Sequence, residues 1–410
     1  MKNIKNIAFK TGLAGLYVFV LSMPYSPAIS EAGFDIGLLA AIIIAVSGKR
    51  LRLPPRVYTI ALVAFIVLAG ITLPFSLDPS LSLRKFAITR WLLFPYVLLN
   101  LDPDAKTTKR LLGMLLAVSG IVAVYLIAQH LLGRSVLPYK FDVYQTVDNA
   151  NHNLSDRIAL RFGQYYAVLF VLVVVLAWFS KGIVSRLTHA GPALVSIATT
   201  YFAYARSGAV GIWSAFVAYG VLRVRPILYG TVLATVVGLS FIMMFPHTEL
   251  SELFFSTIHP TTASGVRYGS NLARIHMLEN TEAILRRHPL TGAGFNCYGI
   301  WTKKNRPEDA GWQRTFSDPV EFLATTGIIG FTGFLILYLG ILYVLFMNKD
   351  AVSNAVLAGF MTFAAGGAFE PMFFNTVLLR GMMFLIGLSM LAAAGSEARN
   401  TTHQPGNMHG

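Results

Sequence analysis

The run "VLFVLVVVLAWF", residues 168–179, decides the fold. A transmembrane β-strand would alternate lipid-facing apolar and inward polar residues, and this run has no polar position to alternate with. An α-helix satisfies its own backbone groups and so can cross a bilayer as a continuous apolar segment. Similar runs recur from end to end of the 410 residues, 55% of which are hydrophobic and 13% charged. The mean hydropathy is +0.60, which excludes a chain soluble in water throughout. The sequence therefore predicts an all-α polytopic membrane protein.

Cutting the chain at charge and proline clusters gives about twelve spans of roughly 16–23 residues each. Their expected centres are Tyr17, Ala41, Phe65, Pro95, Val122, Leu172, Ile197, Phe216, Val236, Leu337, Gly359 and Gly387. Short basic connections, among them "GKRLRLPPR" at 48–56, "KTTKR" at 106–110 and "KGIVSR" at 181–186, fall on one side under this division. The positive-inside rule makes that side the cytoplasm, with both termini there. The expected organisation is spans one to nine over 1–246 with an outer loop near 134–163, then a large, partly helical outer loop over 247–322. Spans ten to twelve follow over 323–396, and a cytoplasmic tail over 397–410.

Much of the +14 net charge then faces outward. The first outer loop carries Arg134, Lys140, Arg157 and Arg161. The second carries Arg267, Arg274, Arg286, Arg287, Lys303, Lys304, Arg306 and Arg314. Anchoring to inner-leaflet lipids does not explain cations on that face. A solvated loop surface accounts for any one of them, but the group points to an anionic partner. No zinc-finger, RNP-type or Walker motif appears, so nucleic acid is not expected. Phosphate or pyrophosphate on a lipid suits the planar guanidinium fork. The single cysteine, Cys297, excludes an intrachain disulfide and a cysteine-based metal site, and no Asp-rich or His-rich cluster suggests another metal or cofactor. The first span is expected to remain as an anchor instead of being cleaved.

The stretch "TYFAYARSGAVGIW", 200–213, sets Arg206 where one helix ends and the next begins. In the large loop a helix is expected from an N-cap at Ser270, with apolar Leu272, Ile275, Leu278 and Leu285, carrying Arg274 in its first turns. "HPLTGAG", 288–294, reads as its terminator, with glycines that permit close backbone approach. In "SDPVEFLATTGIIG", 317–330, Asp318 fits an N-cap, Pro319 the first helical position and Glu321 the partner in a capping box. Both carboxylates also suit general-base work.

These stretches, with "NLARIHMLENTEAILRRHPLTGAGF" at 271–295 and "DRIALRFG" at 156–163, resemble the O-antigen ligase and polymerase superfamily. The resemblance implies a GT-C-type glycosyltransferase of the bacterial inner membrane, acting on undecaprenyl-pyrophosphate-linked glycans at its periplasmic face. Arg206 and Arg274 match the family arginines implied to meet the donor pyrophosphate. The family's histidine, about eleven residues before the glycine of "TGIIG", is Phe316 here. Asp318, Glu321 or His276 is then left to act as the base.

Polymerases carry arginine loops with a glycine eleven residues on, and none of the outer-loop arginines has one. The expectation is therefore an O-antigen ligase that is metal-independent and inverting and needs no cofactor. It would pass a glycan to lipid A-core, with Arg157, Arg161, Arg286, Arg287 and Arg314 as substrate contacts. Polymerase is the alternative within the superfamily. A lipid or solute transporter is the alternative outside it, with Glu370 in "AFEPMFFN" as the intramembrane carboxylate that reading would use, although no paired halves are evident.

Overall fold

A computed structural model describes residues 2–47, 51–132, 160–203, 205–244, 266–309, 311 and 313–402. No strand occurs among the described residues. The first helices are α1 (Lys2–Ser22), α2 (Pro27–Val46), α3 (Arg56–Thr72), α4 (Pro79–Phe86), α5 (Phe94–Leu101) and α6 (Ala105–Leu132). Next come α7 (Leu160–Phe179), α8 (Ile183–Phe202), α9 (Arg206–Leu222) and α10 (Arg225–Met244). The remainder are α11 (Val266–Arg287), α12 (Tyr298–Asn305), α13 (Asp318–Met347), α14 (Ala351–Gly367) and α15 (Thr376–Thr402). Among the described residues, 7 helices are long and apolar enough to cross a membrane: α1, α2, α3, α6, α7, α13 and α15. The apolar stretches Arg225–Ser240 of α10 and Ala351–Gly367 of α14 are shorter. The chain is a multi-pass membrane protein of helices, as its apolar runs require.

α7 and α15 occupy the interior: 67% and 83% of their most apolar windows are buried, against 33% for α1 and α3. Phe19, Phe34, Trp91, Phe94 and Phe384 bring α1, α2, the Ala87–Leu93 turn, α5 and α15 into one aromatic cluster. Arg380 of α15 is fully buried and donates to the Met23 carbonyl at 2.9 Å and to Ser30 Oγ at 2.6 Å. It ties the end of α1 to the start of α2 through backbone and hydroxyl acceptors.

The span expected around Pro95 is not one helix. The chain runs through α4, a 3₁₀ segment at Ala87–Leu93, and the short α5. Pro95 cannot donate a backbone bond to the turn before it, so the α-helix starts afresh there. Arg90 pairs with Glu31 at 2.8 Å and with Asp35 at 3.7 Å, which holds the guanidinium at the side of α2 with its charge paired.

α13 is interrupted at Gly327, where φ is 59° and ψ is −164°. The break frees two carbonyls and two amides, and the "HPLTGAG" turn satisfies all four. Ala293 N donates to Ala324 O at 2.9 Å and Gly294 N to Thr325 O at 2.7 Å, while Ile328 N donates to Pro289 O at 3.0 Å and Ile329 N to Leu290 O at 3.2 Å. Irregular backbone beside a membrane span is tolerated because its polar groups are paired. A Cβ at Gly292 would lie 2.6 Å from Gly327 N, so the splice needs glycine on that side as well. The turn thus terminates α11 as expected and also docks it onto α13.

Two details of the sequence reading change. The described part of α11 begins at Val266, so Ser270 lies inside the helix instead of capping it. Its packed face is Ala273, Met277 and Ile284, which share a small core with Ala293, Tyr298, Trp301 and Ala324. Leu272, Ile275 and Leu278 are exposed instead. At α13 the N-cap is Ser317, whose hydroxyl accepts from Val320 N at 3.2 Å. Asp318 and Glu321 therefore do not form the expected capping box, and both carboxylates turn inward.

Candidate functional site

At one end of the bundle the starts of α7, α9, α13 and α15 meet the Ala368–Asn375 connection and α11. α8 ends at Phe202 and α9 begins at Arg206, with Ala205 as N-cap. The arginine therefore opens a helix whose first amides have no intrahelical acceptor. The chain can turn so tightly because small residues line the contact: a Cβ at Gly208 would lie 3.0 Å from Ala167 Cβ, and one at Gly211 would lie 2.7 Å from Thr362 O. Ser207 is buried and accepts from Gln164 Nε2 at 3.4 Å, and Gln164 Oε1 accepts from Asn375 Nδ2 at 3.3 Å. A polar chain thus runs from α9 through α7 to the start of α15.

Arg274 of α11 reaches this end. Its Nη2 donates to Glu370 Oε1 at 3.2 Å, with side-chain exposures of 28% and 23%. Its guanidinium lies 5.8 Å from the ring centre of Phe316. Burial raises the Glu370 pKa above the usual carboxylate range, while Arg274 and, less strongly, Arg206 pull it down. Both arginines therefore act on one carboxylate. The pair remains partly open to solvent, as a binding site for a larger anion requires.

The connection carrying Glu370 is held on three sides. Asp318 is fully buried and accepts from Phe373 N at 2.9 Å on each oxygen, and Tyr338 Oη approaches Oδ2 at 3.4 Å. Arg314 donates to Phe374 O at 3.2 Å and to Asn296 Oδ1 at 2.9 Å, and it lies over the Phe374 ring. Gln164 holds Asn375. Asp318, read as a cap or a base, is instead committed to a backbone amide. Glu321 is fully buried: Oε2 accepts from Thr315 N at 2.7 Å, while Oε1 is buried without a hydrogen-bond partner among the described residues. Both carboxylates are buried in the protein interior, whereas Arg274 and Glu370 stay partly exposed.

Other expected residues lie elsewhere. His276 points to buried Asp309, with Nδ1 3.2 Å from Oδ1, and Asn280 donates to the other Asp309 oxygen at 2.9 Å. Two positions along a helix turn a side chain to a different face, so His276 does not join Arg274. Arg286 pairs with Glu282 at 2.7 Å on the exposed side of α11, and Arg287 donates to Asn305 at 2.9 Å. Arg157 and the side chain of Arg161 lie outside the described residues.

Residues 191–335 match the family model described as O-antigen ligase. That segment supports membership of the O-antigen ligase and polymerase superfamily. It spans the α8–α9 turn with Arg206, α11 with Arg274, and the break at Gly327. Glu370 lies beyond the O-antigen ligase segment, in the connection that folds back over it. No curated protein matches the chain.

Within the O-antigen ligase segment, Phe316, the residue expected from the resemblance to stand where a family histidine would, lies against Arg274. The structure pairs Arg274 with Glu370, whose charge Arg206 also influences, and Glu370 is the residue that sequence reasoning assigned elsewhere. The available signal was an ionisable side chain amid apolar residues, which marks a candidate site by itself.

Proposed function

We propose that the chain is an O-antigen ligase of the GT-C type. It lies in the bacterial inner membrane with both termini in the cytoplasm and its reaction site on the periplasmic face. The donor is a glycan on undecaprenyl pyrophosphate and the acceptor is lipid A-core oligosaccharide. The observation that carries this reading is the partly exposed Arg274–Glu370 ion pair, with Arg206 at the start of α9 acting electrostatically on the same carboxylate; both arginines lie within the O-antigen ligase segment.

The acceptor hydroxyl attacks the anomeric carbon from the face opposite the pyrophosphate, and the configuration inverts. Negative charge grows on the departing pyrophosphate. Two guanidinium groups already in place stabilise that charge more in the transition state than in the bound donor, which is how preorganised cations accelerate group transfer. Their planar forks suit phosphate oxygens, and the low-dielectric surroundings strengthen the contact. Arg314 and Asp318 serve by holding the connection that closes the site.

The test is transfer by the purified full chain, with the same donor offered lipid A-core in one reaction and a second lipid-linked glycan in the other. The ligase reading predicts a product only on lipid A-core. Lengthening of the lipid-linked glycan instead would make the chain a polymerase.

A further inference from the structure

Glu370 presents a problem that the ligase reading leaves open. The position of the family histidine is an aromatic ring, Asp318 is engaged by Phe373 N, Glu321 faces the interior, and His276 is turned to Asp309. The remaining candidate is the carboxylate that both donor-binding arginines already act on. We propose that Glu370 accepts the proton of the attacking hydroxyl, and that the donor pyrophosphate releases it for this role by taking over Arg274. This rests on the ligase reading of the same site.

Three features of the geometry support the exchange. First, the Arg274–Glu370 contact is a single hydrogen bond at 3.2 Å between side chains that are both partly exposed. A pyrophosphate, with more charge and more acceptor oxygens, competes well for the same fork. Second, Glu370 sits on the Ala368–Asn375 connection between α14 and α15, which Asp318, Arg314 and Gln164 fix at Phe373, Phe374 and Asn375. The carboxylate can therefore leave Arg274 without the connection itself moving away. Third, the charge balance favours the change of role. Arg274 and Arg206 are the groups that hold Glu370 in its ionised form, and burial opposes them. Once pyrophosphate neutralises the two cations, their lowering effect is lost, burial raises Glu370 further, and it becomes the stronger base.

The step balances. The acceptor oxygen forms a bond to the anomeric carbon while the bond from that carbon to the pyrophosphate oxygen breaks, and the electron pair leaves with undecaprenyl pyrophosphate. The hydroxyl proton passes to Glu370. Departure of the pyrophosphate restores the positive charge of Arg274 and Arg206 beside the protonated carboxyl, which then loses its proton and pairs with Arg274 again.

Glu370→Gln keeps the shape of the side chain and removes both the charge and the basicity. Two measurements on the purified full chain are compared: binding of inorganic pyrophosphate, and single-turnover glycan transfer at saturating donor. The expected result is transfer slowed by roughly 10²–10⁴-fold, the usual range for loss of a general base, with pyrophosphate bound several-fold more tightly than by the wild type. Transfer at the wild-type rate would overturn the assignment of Glu370 as base. Weakened pyrophosphate binding would overturn the exchange, because it would make Glu370 a support that Arg274 needs. If the wild type transfers no glycan, the ligase reading falls, and the exchange is still decided by the binding comparison.

Discussion

Arg274 Nη2 stands 3.2 Å from Glu370 Oε1, although 96 residues separate the two in the chain. The contact joins the loop helix α11 to the connection before α15, and Arg206 opens α9 close enough to act on the same carboxylate. Charge alone does not distinguish arginine from lysine here, but the bidentate fork does. Arg274→Lys is expected to retain part of the glycan transfer that Arg274→Ala loses. Initial rates at saturating donor measure it. Equal rates for Lys and Ala variants would mean that the guanidinium is not bound to the donor.

The pH dependence follows from the environment of Glu370. Burial raises its pKa, and Arg274 is the larger of the two influences lowering it, ahead of Arg206. A base acts when deprotonated, so transfer should rise with pH through this group, along an acidic limb lying above the ordinary glutamate value of about 4.3. Arg274→Gln removes the larger opposing charge from the free enzyme and should move that limb to higher pH in the pH profile of kcat/KM for the donor, besides slowing the reaction. A limb that stays where it was would show that another group controls it.

Asp318 is predicted to be a positioning residue. Removing its carboxylate in Asp318→Ala leaves the Phe373 amide buried without its acceptor, at a cost of about 1–3 kcal/mol. Thermal unfolding should fall accordingly, and transfer should drop because the connection bearing Glu370 loosens. Asp318→Asn keeps one carbonyl oxygen for that amide and should preserve most of both. An Asn variant that is stable yet inactive would instead place the Asp318 charge in the reaction.

The splice between the "HPLTGAG" turn and α13 gives a stability prediction. Gly327 has φ 59° and ψ −164°, and a Cβ there would lie 2.6 Å from Thr291 N. Gly327→Ala should destabilise the chain by roughly 1–3 kcal/mol from backbone strain alone. Gly292→Ala should do the same from the facing side, and the double variant should lose less than the sum, since one displaced contact serves both. Strictly additive losses would argue that the two glycines act separately.

The class of fold was legible because each apolar run states its own solvent, and residues 168–179 needed no partner to be read. The placement of the two arginines, Arg206 at a helix junction and Arg274 within a helix, was legible from their local settings. What escaped the reading depends on contacts distant in sequence. The break at Gly327 exists because four backbone groups find partners at 289–294. Asp318 looked like a cap because its own neighbourhood suits one, but Ser317 takes that place and Phe373 N takes the carboxylate. Pro95 was placed inside a span because the apolar count outweighed it, yet the ring's missing donor restarted the helix. Glu370 was read as the carboxylate a transporter would use, because Arg274 is far from it in sequence.

The central claim is that Arg206 and Arg274 stabilise a departing lipid pyrophosphate. The most direct test measures transfer of an undecaprenyl-pyrophosphate glycan to lipid A-core by wild type, Arg206→Ala and Arg274→Ala, each with chelator present. The predicted result is wild-type transfer that persists in chelator and falls by roughly 10²–10³-fold in each variant, the usual cost of losing one preorganised charge-stabilising group. Undiminished transfer by both variants would contradict the account.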